Sequence, residues 1–164
     1  MKNIDYVSFS EYMAKLASEH TQIHHSPSEL HFCRGELQDF WSKSRSDIYF
    51  PCVILEGREL EYSSNSSQIF KTISSAFIIQ DTYELNGDYE EIEKVLSSCE
   101  KIGEDFLTRM ILDAHSQQAP FIRCEINDID AVFIQNTAYK YVGCRFSFSI
   151  KHILQHNNSN IWIK

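Results

Sequence analysis

The sequence of 164 residues predicts an α+β fold, in which one long helix packs on an antiparallel sheet and short helices precede both. Two patterns in the second half of the chain lead to this prediction. Between Asp88 and about His115, apolar residues recur every three to four positions, which indicates an amphipathic helix. Between Tyr141 and Ile150, apolar and polar residues alternate, as they do in a strand with one buried face.

The long helix should begin at Asp88, because Asp88 and Glu91 form an N-terminal capping pattern. Its apolar stripe consists of Ile92, Val95, Leu96, Cys99, Ile102, Phe106, Leu107, Met110 and Ile111. A helix that reaches His115 is roughly 40 Å long at about 1.5 Å per residue. Gly103 lies within the stripe, where glycine costs about 1 kcal/mol relative to alanine. We therefore expect the sheet to pack closely against Gly103.

The final strand is expected to have a buried face and an exposed face. The side chains that should point into the core are those of Val142, Cys144, Phe146, Phe148 and Ile150. Those that should point outward are Tyr141, Gly143, Arg145, Ser147 and Ser149. Tyrosine and arginine are frequent in interface hot spots, so this outer face is a candidate interface. Its candidate residues are Tyr139, Tyr141, Arg145 and Lys151. Ordinary pairing between neighbouring strands explains the same residues equally well.

The first fifty residues predict two short helices joined by a loop. Ser8 and Glu11 form a capping box, and the apolar residues that follow at helical spacing are Tyr12, Met13, Leu16 and Ala17. Residues 20–29 are polar and contain a proline, which indicates the loop. Within residues 30–46, the spacing of a second helix is shown by Leu37, Phe40 and Trp41.

Four further segments have the length and composition of strands. They are residues 48–55, 69–80, 121–126 and 131–135. Pro51 places the first of them at a sheet edge or a bulge, because proline has no amide hydrogen to donate. The segment from Arg58 to Tyr62 is expected to form a hairpin with it. Asn127 and Asp128 are expected to form a turn between the last two segments.

The charge balance is acidic, with 23 aspartate and glutamate residues against 15 lysine and arginine residues and a formal net charge of −8. Such a chain repels polyphosphates, so binding to free DNA is disfavoured. The nearest approach to a basic cluster is Arg34, Lys43 and Arg45, which is too sparse to reverse this tendency. We expect no sequence-specific nucleic-acid partner.

The length fits a single domain over residues 1–164. Residues 1–7 and 155–164 are expected to be tails that are either flexible or docked on a partner. The second tail is polar until Ile161, Trp162 and Ile163, so Trp162 joins the candidate interface. No signal-peptide core and no run of about 20 apolar residues is found, which favours a cytoplasmic protein with no membrane partner. The five cysteines lack a C-x-x-C pair, and we expect buried free thiols in a reducing compartment.

Few residues suggest catalysis. His24, His25 and Cys33 are the best candidates for a metal site or a nucleophile pair, but they lack the spacing of a zinc motif. A simpler interpretation is that the histidines lie in a loop and are exposed to solvent. The acidic residues at the start of the long helix complement its dipole; they are Glu84, Asp88, Glu90, Glu91 and Glu93. We therefore expect no catalytic residue, no bound metal and no cofactor.

Taken in order, the elements resemble those of tail-terminator and tail-completion proteins of long-tailed phages and small neck proteins of phage-like particles. The chain looks in particular like short prophage proteins of Bacteroidetes. The resemblance covers about residues 8–152, and the segments that show it best are residues 49–56, 99–110 and 141–150.

This resemblance implies a non-enzymatic structural role. Such proteins have an α+β fold in which helices cover an antiparallel sheet, and they assemble as rings, often hexameric, that cap the tail tube and join it to the head. The implied partners are further copies of the chain and other tail or neck proteins. The implied location is the cytoplasm during assembly and then the virion or phage-like particle. An acidic surface inside such a ring would let DNA pass without binding it.

Two other classes of function fit the sequence. One is a small cytoplasmic protein-binding module, similar to an immunity protein or a chaperone, which would be monomeric or bind one partner. The other is an enzyme or metal-binding protein that uses His24, His25 or Cys33. Stoichiometric zinc that is lost on substitution of those residues would favour the second.

Overall fold

The computed structural model describes residues 4–37, 47–84 and 88–154. Within these ranges the chain forms two helices and six strands, and the fold class is α+β. The helices are α1 (Tyr6–Glu19) and α2 (Tyr89–His115). The strands are β1 (Leu30–Arg34), β2 (Ile48–Leu55), β3 (Glu59–Ser64), β4 (Ile69–Thr82), β5 (Cys124–Asn136) and β6 (Tyr141–Ile153). Neither helix is both long enough and apolar enough to cross a membrane.

The six strands form one mixed sheet with the order β1-β2-β4-β6-β5, and β3 also pairs with β4. The prediction of an antiparallel sheet is wrong at one pair, because β1 runs parallel to β2. The cause is the segment from Leu30 to Arg34, for which the sequence predicts no strand because its apolar spacing indicates only a short helix within residues 30–46. It is extended, with Phe32 in the core between sheet and helices and Cys33 in a second apolar cluster. The predicted positions Phe40 and Trp41 lie outside the described residues.

β2 and β3 do not form the expected hairpin with each other. Both are antiparallel to β4, along the same side of it. Leu55 pairs with Phe77 and Glu59 pairs with Ser74, so the three residues between β2 and β3 oppose two residues of β4. One extra residue is the mark of a β-bulge, and here it lies in the connection that separates β2 from β3.

β5 is a single strand, although we expected two strands separated by a turn. Its pairing with β6 is interrupted between Asn127 and Asp130, and Asp128 has a positive φ of 52°. The two turn-forming residues of the sequence therefore produce a bulge within one strand. A bulge absorbs the extra residue while the register continues on both sides of it.

Both helices pack on one face of the sheet, which we call the helix face; the other is the opposite face. The helix face includes the inward residues predicted for the last strand, with Phe77 stacked on Phe146 at 5.2 Å between ring centroids. α2 spans the predicted range, and the Glu91 amide donates to Asp88 Oδ1 at 3.0 Å. The alternation in the last strand thus predicts its buried face correctly.

The start of α1 differs from the prediction. Its cap is Asp5, whose Oδ1 accepts the Ser8 amide at 2.8 Å while Ser8 Oγ accepts the Asp5 amide at 3.1 Å. Ile4 is buried, so the expected first tail already includes part of the fold. Lys71 Nζ donates to the Ile4 carbonyl at 2.9 Å. Arg58 also donates to the Asp5 carbonyl, at 3.3 Å, and together these bonds hold the start of α1 on the sheet.

Candidate functional site

β5 forms one edge of the sheet. Within the described part of the chain it pairs with β6 alone, so the backbone groups on its other side have no strand beside them. Its exposed apolar side chains include Val132 and Phe133, which are 51% and 53% exposed. Val132 pairs with Arg145 on the opposite face, and Phe133 pairs with Cys144 on the helix face. The edge is therefore apolar on both faces at this point.

The two halves of β5 differ in charge and regularity. The first half contains the bulge and the carboxylates of Glu125, Asp128 and Asp130. From residue 131 to 136 no side chain is charged, and the pairing with β6 is regular. Charges and bulges are the features by which edge strands avoid pairing with other chains. The second half of β5 therefore lacks the protection that the first half has.

β3 forms a second free edge. All six of its residues are exposed, and within the described residues it pairs with β4 alone. Leu60 and Tyr62 lie on the helix face, whereas Glu59 and Glu61 lie on the opposite face. β3 thus combines exposed apolar groups with two carboxylates, which makes it a less apolar edge than the second half of β5.

Two of the predicted interface residues lie beside the second half of β5. Tyr141 pairs with Asn136, the last residue of β5, and stacks on Tyr139 at 6.1 Å between ring centroids. Tyr139 is 50% exposed, while Tyr141 is partly buried against Phe50 at 5.2 Å. Burial raises the pKa of the Tyr141 phenol. Tyr139 is thus the more accessible residue of the pair.

The other predicted interface residues lie elsewhere. Arg145 forms an ion pair with Glu56, with 2.7 Å between Nη2 and Oε2 and 2.8 Å between Nε and the same oxygen. Lys151 lies over the Phe70 ring, with Nζ 5.0 Å from the centroid. Ten residues of strand separate Tyr141 from Lys151, a distance of roughly 33 Å. The four residues are therefore not one compact patch, and Trp162 lies outside the described residues.

A cleft of about 730 Å³ lies between α1, the end of α2 and the loop after it. At its wall the Tyr12 hydroxyl donates to Asp113 Oδ2 at 2.8 Å, and Arg109 Nε donates to both oxygens of Asp113 at 3.1 and 3.0 Å. Burial, and then the bond to Asp113, raise the pKa of the Tyr12 phenol far above its usual value. The sequence gives no sign of this cluster, because Tyr12 and Asp113 are 101 residues apart and each fits an ordinary helical position.

The residues considered for a metal site or a nucleophile do not converge. His24 is exposed, whereas His25 packs on Phe32 at 5.8 Å, and burial lowers the pKa of its imidazole. His31 Nδ1 is 2.8 Å from the Pro51 carbonyl oxygen. Cys33 belongs to the apolar cluster of the opposite face. Within residues 4–37, 47–84 and 88–154, no three histidine, cysteine or carboxylate side chains are placed to hold a metal ion.

All five cysteines are free and buried, as the sequence predicts. Burial raises the pKa of the Cys99 and Cys124 thiols to about 12 and that of Cys144 to about 11. The pKa of Cys52 is also raised by burial. A nucleophilic cysteine needs a lowered pKa, so these four thiols have the environment of structural cysteines.

No protein-family model matches this chain, and no curated protein matches it either. The free edges of the sheet and the cleft beside α1 are therefore the features from which we infer a function.

Proposed function

We propose that this chain is a non-enzymatic assembly protein of a phage tail or a phage-like particle, which joins copies of itself and neighbouring tail or neck proteins. The observation that supports the proposal most directly is the second half of β5, an exposed strand edge with apolar side chains and no charge. Unpaired backbone groups at such an edge recruit a further strand, and the side chains on the two faces add specificity.

The resemblance in sequence pattern supports a ring as the arrangement of the copies. Tail-terminator and neck proteins form rings around the path of the DNA, and a ring requires contacts that repeat from one copy to the next. The net charge of −8 suits this role, because an acidic inner surface repels DNA and lets it pass. Neither membrane binding nor sequence-specific DNA binding is part of the proposal.

The mass of the purified protein tests this function. Light scattering after size exclusion, across a concentration series, is expected to show a rise from monomer to a defined oligomer, and imaging of the largest species is expected to show rings. A mixture with tail-tube protein extends the test to rings that form only on a template. A protein that stays monomeric alone and with tail-tube protein would contradict the proposal.

A one-to-one protein-binding module, of the immunity or chaperone kind, is the second candidate. The observation in its favour is the cleft beside α1, which contains both signs of charge and apolar residues such as Ile4, Pro120 and Ile122. A module of this kind stays monomeric at every concentration, and its partner protects the residues of the cleft. The same light-scattering series therefore separates the two candidates.

A further inference from the structure

The second half of β5 is an edge of the sheet that is suited to pair with another strand. Residues 130–136 are regularly paired with β6 on the inner side, and no side chain from 131 to 136 is charged. Val132 and Phe133 are exposed on opposite faces of this edge. We propose that this segment pairs in the antiparallel direction with the same segment of a second copy, about a two-fold axis at Phe133.

This register matches apolar side chains with one another. Phe133 faces Phe133 of the second copy on the helix face. Val132 faces Ile134 of the second copy on the opposite face, where Ile134 already packs against the apolar cluster around Ile78. Cross-strand pairs of aromatic and β-branched residues are among the contacts that stabilise antiparallel pairing.

The charges of β5 favour the same register. Asp130 faces Asn136 of the second copy, so the nearest carboxylates of the two copies do not meet. A junction between β5 of one copy and β3 of the next would instead place the carboxylates of Glu59 and Glu61 within the paired segment. Charged side chains on an edge strand oppose pairing with another chain, so the uncharged half of β5 of a second copy is a better partner than β3.

The pairing would join two sheets into one continuous sheet, with the helices of both copies on the same side. This pairing rests on the proposed function in one respect, which is that the partner is another copy of the chain. A two-fold contact joins two copies and does not close a ring by itself. A ring would then be built from dimers through a second contact, and it would contain an even number of subunits.

Disulfide trapping tests the register directly. In the full chain with Phe133→Cys, the two cysteines face each other across the axis, with their Cβ atoms about 4.5–5.5 Å apart. Mild oxidation with copper phenanthroline is expected to trap a dimer in at least about tenfold greater yield than in the control, because a disulfide needs nearly this geometry. The control is Leu112→Cys, which is an exposed position on α2. The native thiols are buried and do not interfere.

A second pair of variants separates this register from other contacts. Val132→Cys and Ile134→Cys are each expected to cross-link poorly alone and to form a dimer when the two proteins are mixed before oxidation. Trapping of Phe133→Cys and of the mixture supports the two-fold register. Failure of both, at a concentration where light scattering shows an oligomer, overturns the register and leaves the assembly function standing. Failure of both in a protein that is monomeric alone and with tail-tube protein overturns both proposals.

Discussion

Gly103 of α2 lies directly against the ring of Phe146 in β6, so that a β-carbon on residue 103 would come within 1.9 Å of that ring. Phe146 is itself stacked on Phe77, and Phe77 contacts Phe106 at 5.7 Å between centroids. The ring therefore has little space into which it can move. The close approach of helix and sheet at this point depends on the absence of a side chain.

Gly103→Ala is expected to lower the free energy of unfolding, although alanine favours a helix over glycine by about 1 kcal/mol. Overpacking of a core generally costs about 1–3 kcal/mol, which exceeds that gain. Urea unfolding followed by circular dichroism measures the difference. The matched control is Glu104→Ala at the exposed neighbouring position, which we expect to change stability by no more than about 0.5 kcal/mol. A variant at residue 103 as stable as the parent would contradict the close packing.

Tyr12→Phe is expected to destabilise the fold by about 1–2 kcal/mol, because it removes a partly buried hydrogen bond to the carboxylate of Asp113. Arg109→Ala breaks an exposed ion pair with the same carboxylate and should cost less, about 0.5 kcal/mol. Chemical denaturation of the two single variants and the double variant measures both losses. An equal loss of stability in the two single variants would show that the ion pair with Arg109 contributes as much as the hydrogen bond from Tyr12.

Arg145 is expected to stabilise the fold rather than to bind a partner. Its ion pair with Glu56 is partly buried, so Arg145→Ala should lower the free energy of unfolding by about 1–2 kcal/mol. The double variant with Glu56→Ala should lose less than the sum of the two single losses. Light scattering of Arg145→Ala at a fixed concentration is expected to show the mass of the parent. If Arg145→Ala changed the mass of the oligomer without changing the stability of the fold, Arg145 would belong to the interface.

Val132→Lys is expected to weaken self-association at least about tenfold, because lysine at a strand edge opposes pairing. The change should leave stability within about 0.5 kcal/mol of the parent, since the side chain is exposed. The matched variant Leu60→Lys on β3 should leave self-association unchanged. Sedimentation equilibrium measures all three proteins. If Leu60→Lys weakened self-association and Val132→Lys did not, the contact would lie at β3 instead.

The stability is expected to depend on pH through His152. This residue lies within β6 and is 2% exposed, and burial, followed by the charge of Lys71, lowers the pKa of its imidazole. The unfolded chain then binds a proton below about pH 6.5 more readily than the folded chain does. Its contribution to stability is therefore fully present above that pH and decreases as the pH falls further.

His152→Gln is expected to reduce the loss of stability between pH 7 and pH 5, as measured by urea unfolding at several pH values. His24→Gln is the matched control, because His24 is exposed. His25 also has a lowered pKa, so His25→Gln should change the profile in the same direction. A profile for His152→Gln parallel to that of the parent would show that this imidazole is not the source of the dependence.

The elements with strong periodicity were predictable from the sequence. α2 and β6 each have one buried face over many residues, so their type and orientation follow from the spacing alone. That β5 continues through a bulge as one strand was not predictable, because Asn127 and Asp128 favour a turn and a bulge equally. β1 was missed because five residues are too few to show alternation, and the spacing from Leu37 onward suggests a helix.

The candidate site was predictable in part. The sequence predicts that Tyr139 and Tyr141 are both exposed; Tyr139 is exposed, Tyr141 is partly buried, and both lie beside the end of β5. It did not indicate that β5 is an edge, because the order of strands in a sheet depends on contacts between distant segments. The ion pair of Arg145 was missed for the same reason, since Glu56 is 89 residues away.

The buried cysteines divide between the two faces of the sheet. Cys99, Cys124 and Cys144 belong to the core under the helices, whereas Cys33 and Cys52 belong to the apolar cluster of the opposite face. A thiol reagent that cannot enter the folded protein reacts with each cysteine only when its surroundings open. The order in which the five thiols become reactive as denaturant is added would therefore show which side of the sheet separates first. The chain thus contains natural chemical reporters on both faces.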